Sequence, residues 1–249
     1  MRGAGARTEE NQPLTGAPAG RLRDSAPHRI AGSRPGRPQA SSAMLTAEYF
    51  VLLALDPQSG RIAMAYPDTH ADALCAAAMM IDLIAQHRLA LDAAGRLSVD
   101  TSLPCSHAEL DAAASALALL PHADASTAIR QVARRLAPLD RHLLEALHRR
   151  DFLHRLQDWR FWRRDTVRYP LRSLQARNEA AAQLQHAADG SGGATGIGLL
   201  MLTDVAGVMT RHLDARQHER ASRILLSLND VDSSHELGGV AAIRRALLD

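Results

Sequence analysis

The sequence predicts a mainly α protein, a single compact helical domain with small β-hairpins. Composition carries the first part of that prediction. Of 249 residues 46% are hydrophobic but only 3% are aromatic, and Ala and Leu dominate the apolar set. These are strong helix formers, whereas strands favour β-branched and aromatic residues. Pattern carries the rest. After Met44 apolar residues recur at helical spacing, and turns or prolines cut the pattern into segments of helix length.

Residues 1–43 stand apart as an expected disordered extension. They hold six Gly, five Pro and seven Arg, with Met1, Leu14, Leu22 and Ile30 as their large apolar residues. That surface is too small to offset the entropy of ordering. The region 44–249 reads as one domain. Leu45, Tyr49, Leu52 and Leu53 fall on one face of a first helix. DPQSG (56–60) is a turn and RIAMAY (61–66) a short strand. A helix is expected from Asp68 to Gln86, buried through Leu74, Ala78, Ile81 and Ala85. Residues 88–100 form a hairpin around Gly95. Ser106 and Glu109 have capping-box spacing for a helix that Pro121 ends. Pro138 splits 125–137 from 139–150 into two helices, and 152–172 lacks helical period and reads as a second hairpin. Helices over 173–188, 196–212, 214–228 and 234–247 complete the domain, the last with a capping box at Ser233 and Glu236.

All 29 basic residues are Arg. A phosphate-binding Walker loop, a protein-kinase site and Schiff-base chemistry, each of which needs Lys, are excluded as usually built. The run GSGGATGIG (190–198) places Thr195 where a dinucleotide fingerprint needs its third Gly, so it reads as an inter-helix linker. No metal site is expected: there is no HExxH, and His142, His148 and His154 lie six apart, which is off-phase on a helix. Two cysteines make no disulfide framework; Cys75 lies in an apolar run and reads as a buried thiol in a reducing compartment. No cofactor and no enzymatic activity are expected.

Charge is segregated. Residues 130–177 carry a net +8 and the first 43 a net +4, against −10 for the rest. Such asymmetry is the footprint of a polyanionic partner surface. Inside the basic segment, DWRFWRRDTVRYPLRS (158–173) holds both tryptophans of the chain. Arg130, Arg134 and Arg141 would share a face on a continuous helix. Two helices followed by a hairpin resemble a winged-helix layout, so nucleic-acid binding through 125–172 is one reading. Membrane binding is the other, since Trp favours the headgroup level and Arg meets lipid phosphate.

The ordered stretches LTAEYFVLLALDPQSGRI, MMIDLIAQHRLALDAAGRL, LLEALHRRDFL, RYPLRS and TGIGLLMLTDVAGVM resemble the bacterial branch of the Golgi phosphoprotein 3 family over essentially all of 44–249. The resemblance implies a mainly α domain and a peripheral protein that binds phosphatidylinositol 4-phosphate or other anionic headgroups. It further implies a location on the cytosolic face of a membrane, Golgi-type in a eukaryote, and a sorting or trafficking adaptor that gathers cytosolic tails of membrane proteins. The family's headgroup Trp falls near Tyr66, and its three Arg fall at Ala76 and near Ala137 and Asp140. Arg134 and Arg141, one turn either side of Ala137, are the replacements the resemblance suggests, with Tyr66 as the aromatic. The family's bilayer-dipping hairpin loop falls on Trp159, Phe161 and Trp162, flanked by Arg163 and Arg164. Arg88 matches a family Arg before a strand.

Overall fold

The computed structural model describes residues 43–66, 70–92, 94–105, 107–158, 166–231 and 236–249. Ser42–Asp249 is one compact unit, and the expectation for 1–43 lies outside the described residues apart from Ala43. Among the described residues there are nine α-helices and three two-stranded antiparallel sheets, the mainly α domain that composition and pattern predict.

The centre is built by α1 (Thr46–Ala54), α2 (Ala71–Ala85) and α7 (Gly193–Val205). In α2 every residue from Leu74 to Ile84 is buried. A helix buried on every side is a core helix, so the single buried stripe expected from the sequence is too narrow. Around α2 pack α1, α7, α3 (Ala108–Ala118), α4 (Ala125–Arg135), α5 (Leu139–Arg149) and α9 (Glu236–Leu248). The remaining helices, α6 (Leu174–Ala188) and α8 (Ala215–Ser227), lie against α7.

Helix starts follow local chemistry where a side chain can supply it. Asp124 accepts the Thr127 amide at 2.7 Å, and Asp214 with Gln217 closes a capping box on α8. The boxes expected at Ser106 and Ser233 involve residues outside the described set; His107 is the N-cap of α3. The start of α1 is capped from elsewhere. The Asp82 carboxylate of α2 accepts the Thr46 and Ala47 amides at 2.9 and 3.3 Å. Glu48 accepts the Leu45 amide at 2.9 Å and takes Arg150 through both oxygens at 2.7 and 2.9 Å.

Two expectations are corrected. The Gly-rich run is helical from Gly193 rather than a linker. A Cβ at Gly198 would lie 2.7 Å from Ile81, so the glycine lets α7 press onto α2 at a price in helix propensity that sequence alone weighs too heavily. The strand expected over 61–66 is shorter. β2 (Arg61–Ile62) pairs with β1 (Leu55–Asp56), and the chain then leaves because the Ala65 amide donates to the Ala206 carbonyl at 3.0 Å. The other hairpins lie where the sequence puts them: β3 (Leu89–Leu91) with β4 (Leu97–Val99), and β5 (Leu156–Asp158) with β6 (Thr166–Arg168).

Candidate functional site

The β1–β2 turn begins the site. Asp56 accepts the Gln58 and Ser59 amides, which tightens the turn; the Ser59 side chain first, and then these amides, hold its carboxyl below the usual range. Gly60 closes it at φ +65°, a left-handed conformation that disfavours side chains. A Cβ there would meet the Pro170 nitrogen at 2.5 Å, so only glycine lets the turn touch the strand leaving the third hairpin. The Tyr169 amide seals the contact by donating to the Gly60 carbonyl at 2.8 Å.

The base of that hairpin is fixed to α5. The Tyr169 ring is buried, and its hydroxyl donates to Glu145 Oε1 at 2.7 Å. Arg155 Nε donates to the same oxygen at 2.9 Å. The Tyr169 hydroxyl and then Arg155 hold the Glu145 carboxyl below its ordinary range, while burial and then Glu145 push the Tyr169 phenol up. Leu153 and Leu171 form a β-bridge, His148 Nδ1 lies 2.9 Å from the Leu153 carbonyl, and the Arg150 guanidinium sits 5.0 Å from the Phe152 ring centroid.

These contacts enclose a groove of about 350 Å³ between the β1–β2 turn, the first turn of α2, α5 and β6. Its apolar walls are Ile62, Met64, Leu144 and Val167; its charges are Arg61, Arg141 and Asp140. The start of α5 would ordinarily be an anion site. Here Asp72 accepts the Asp140 amide at 3.0 Å, and Asp140 Oδ1 accepts the Arg141 amide at 2.7 Å. Burial and then the Asp72 charge raise the Asp140 carboxyl, against the lowering pull of the Arg141 amide and guanidinium. Cys75 lies behind this pair, fully buried, its thiol held neutral chiefly by burial.

Of the residues singled out from the sequence, Arg141 lines the groove. Arg134 is exposed at the end of α4, outside the groove walls. Tyr66 is 56% exposed and lies over Gly207 at the end of α7, also outside them. Of the three, Arg141 alone lines this groove. Arg130, expected on the same face, folds back to Ser126 and Thr127 of its own helix. Trp159, Phe161, Trp162, Arg163 and Arg164 lie outside the described residues. Arg61 was missed, although an Arg directly after a Gly-closed turn is a visible signal. Asp140 was noted only as a departure from a family Arg.

Among the described residues no group of three His, Cys, Asp or Glu side chains could hold a metal ion, and no helix is long and apolar enough to cross a membrane. The sequence model of the Golgi phosphoprotein 3 (GPP34) family matches residues 46–247. The chain belongs to the Golgi phosphoprotein 3 family. The match runs from the first residue of α1 into the last turn of α9, so the groove and the hairpin beside it lie within what the Golgi phosphoprotein 3 family defines. No individually curated protein matches the chain.

Proposed function

We propose that this Golgi phosphoprotein 3 family member is a non-enzymatic peripheral membrane protein. It binds phosphate-bearing lipid headgroups, phosphatidylinositol 4-phosphate or another anionic lipid, on the cytosolic face of a membrane. There it serves as an adaptor for the tails of membrane proteins. One observation carries the reading: the groove holding Arg61 and Arg141 shares strand β6 with the hairpin whose 159–165 connection carries both tryptophans. Arginines suited to headgroup phosphate thus line a groove whose strand β6 follows directly, in the sequence, the segment that holds both interface-seeking tryptophans. Each membrane-proximal Arg contributes about 1 kcal/mol, so the groove works together with the rest of the basic segment.

Co-sedimentation with phosphatidylcholine vesicles, with and without phosphatidylglycerol or phosphatidylinositol 4-phosphate, tests this at low salt. Binding that requires the acidic lipid, with a blue shift of Trp fluorescence, is expected. Absence of vesicle binding together with a mobility shift of duplex DNA would replace the membrane reading with the nucleic-acid one.

A further inference from the structure

The hairpin of β5 and β6 is short, and α5 holds it at its base. Three residue pairs join the strands, the last of them Leu156 opposite Arg168. A two-stranded ribbon of that length is marginal by itself, so its direction depends on what anchors it. The register carried one step further sets Arg155 opposite Tyr169, which puts both side chains on one face of the ribbon. Both reach a single atom. Glu145 Oε1 of α5 accepts the Tyr169 hydroxyl at 2.7 Å and Arg155 Nε at 2.9 Å. One carboxylate oxygen therefore ties both strands to the same helix. Val167, two residues before Tyr169 and so on the same face, lines the groove that holds Arg61 and Arg141. Arg141 itself precedes Glu145 by one turn of α5, on the same side of that helix.

Resting on the membrane-binding reading above, we infer that Glu145 is a positioning residue: it fixes the direction of the hairpin that carries both tryptophans relative to the groove arginines, so that the two parts engage one bilayer together. Two contacts held in a fixed relation bind as one, because the second meets the membrane at a high effective concentration once the first has bound. Letting the ribbon swing removes that gain and leaves each contact intact. The geometry of the tie matters more here than its strength. The Glu145 and Arg155 side chains are 34% and 41% exposed, and exposed ion pairs contribute little to stability. What they supply is direction. Tyr169 is also held through its amide by the Gly60 carbonyl, so β6 has a backbone tie to the body, and Arg155 on Glu145 ties β5 beside it.

Both tryptophans of the chain lie in the connection between β5 and β6, so the intrinsic fluorescence of the full chain reports on the hairpin. In solution, Glu145→Ala is expected to lower the steady-state anisotropy of the Trp emission, with a melting temperature close to that of wild type. Glu145→Gln keeps an acceptor oxygen for both donors and should retain most of the wild-type anisotropy. Tyr169→Phe should give an intermediate drop, and adding it to Glu145→Ala should change nothing further, since both act through one bond. On phosphatidylcholine vesicles containing phosphatidylglycerol, Glu145→Ala should bind about tenfold more weakly than wild type, while binding to phosphatidylcholine alone, which uses the inserted rings, stays unchanged. That loss runs against the charge change, because removing an acid by itself favours an acidic surface, and Glu145→Gln carries the same charge change with the tie retained. Unchanged anisotropy in folded Glu145→Ala overturns the inference. So does a drop in anisotropy with unchanged affinity for acidic vesicles, and so does an equal loss on both vesicle types with a lowered melting temperature, which marks a structural bond alone. If wild type binds no vesicle, the membrane reading falls and the anisotropy decides the tie by itself: a drop keeps Glu145 as the residue that directs the hairpin, and no change removes it. Should Glu145→Ala fail to fold, Tyr169→Phe, which deletes one hydroxyl and alters no charge, carries the same comparisons.

Discussion

The amide of Tyr169 donates to the carbonyl of Gly60 at 2.8 Å, joining a turn near the start of the domain to the strand that leaves the third hairpin. Arg61 and Val167 face one groove because of that bond and of the missing side chain at position 60. Gly60→Ala should therefore destabilise the fold by about 2–4 kcal/mol, combining left-handed strain with a backbone clash. Gly95→Ala is the matched control. Its φ is +71° but nothing lies within 4 Å of the added Cβ, so the expected loss is the strain alone, about 1–2 kcal/mol. Urea unfolding of the two variants measures the difference.

Asp82 gives stability a pH dependence of defined sign. Burial raises its carboxyl from 3.8 to about 6, against the lowering pull of the Thr46 and Ala47 hydrogen bonds. A group raised in this way binds its proton more readily in the fold than in the unfolded chain. Its contribution is complete below about pH 4 and is lost as pH rises through about 6. Asp56, Asp92, Asp100, Asp124 and Glu145 are shifted down and act in the opposite sense. The measurement is thus a comparison: the melting temperature of wild type minus that of Asp82→Asn should fall between about pH 4 and pH 7. A difference that stays flat or rises with pH contradicts the assignment.

Glu48 is 3% exposed and depends on Arg150 for its counter-charge. Arg150→Leu leaves an uncompensated buried carboxylate and should lower stability by about 3–5 kcal/mol. Glu48→Leu combined with Arg150→Leu should recover most of that loss, because no bare charge remains. A double-mutant cycle by denaturant unfolding reads the coupling.

The two parts of the proposed membrane face should separate by lipid dependence. Arg61→Ala with Arg141→Ala removes two charges of about 1 kcal/mol each and should weaken binding to acidic vesicles far more than to neutral ones. Trp159→Ala with Trp162→Ala should weaken both alike, since apolar insertion is blind to headgroup charge. A lowered melting temperature in the Trp variant, with vesicle binding unchanged, would assign those rings to the core.

Helix positions were legible because most boundaries are written locally: Asp124 before α4, Pro138 between α4 and α5, Asp214 before α8. The start of α7 was not, because Gly193 and Gly196 weaken the helical signal that packing against α2 restores. The site was half legible. Arg141 could be found from its spacing to Arg130 and Arg134 in the basic segment and from the family resemblance that puts a headgroup Arg near Ala137. Arg61 and Asp140 could not be joined to it, because the groove exists only once Gly60 meets Tyr169 and Asp72 meets the Asp140 amide. A common face through Arg130, Arg134 and Arg141 required a continuous helix; the chain breaks at Pro138, as the sequence already indicates, and Arg130 turns back on its own first turn.

The cap on α1 sets an order of events. A nine-residue helix is too short to persist alone in water, and the acceptor that starts this one belongs to α2, which is synthesised later. The Thr46 and Ala47 amides at the start of residues 46–54 are satisfied only once Asp82 of α2 is in place. The domain is then entered through a long-range docking step and not by growth from its first helix. A fragment that ends before α2 keeps the Glu48 acceptor for the Leu45 amide but lacks the one that takes the Thr46 and Ala47 amides.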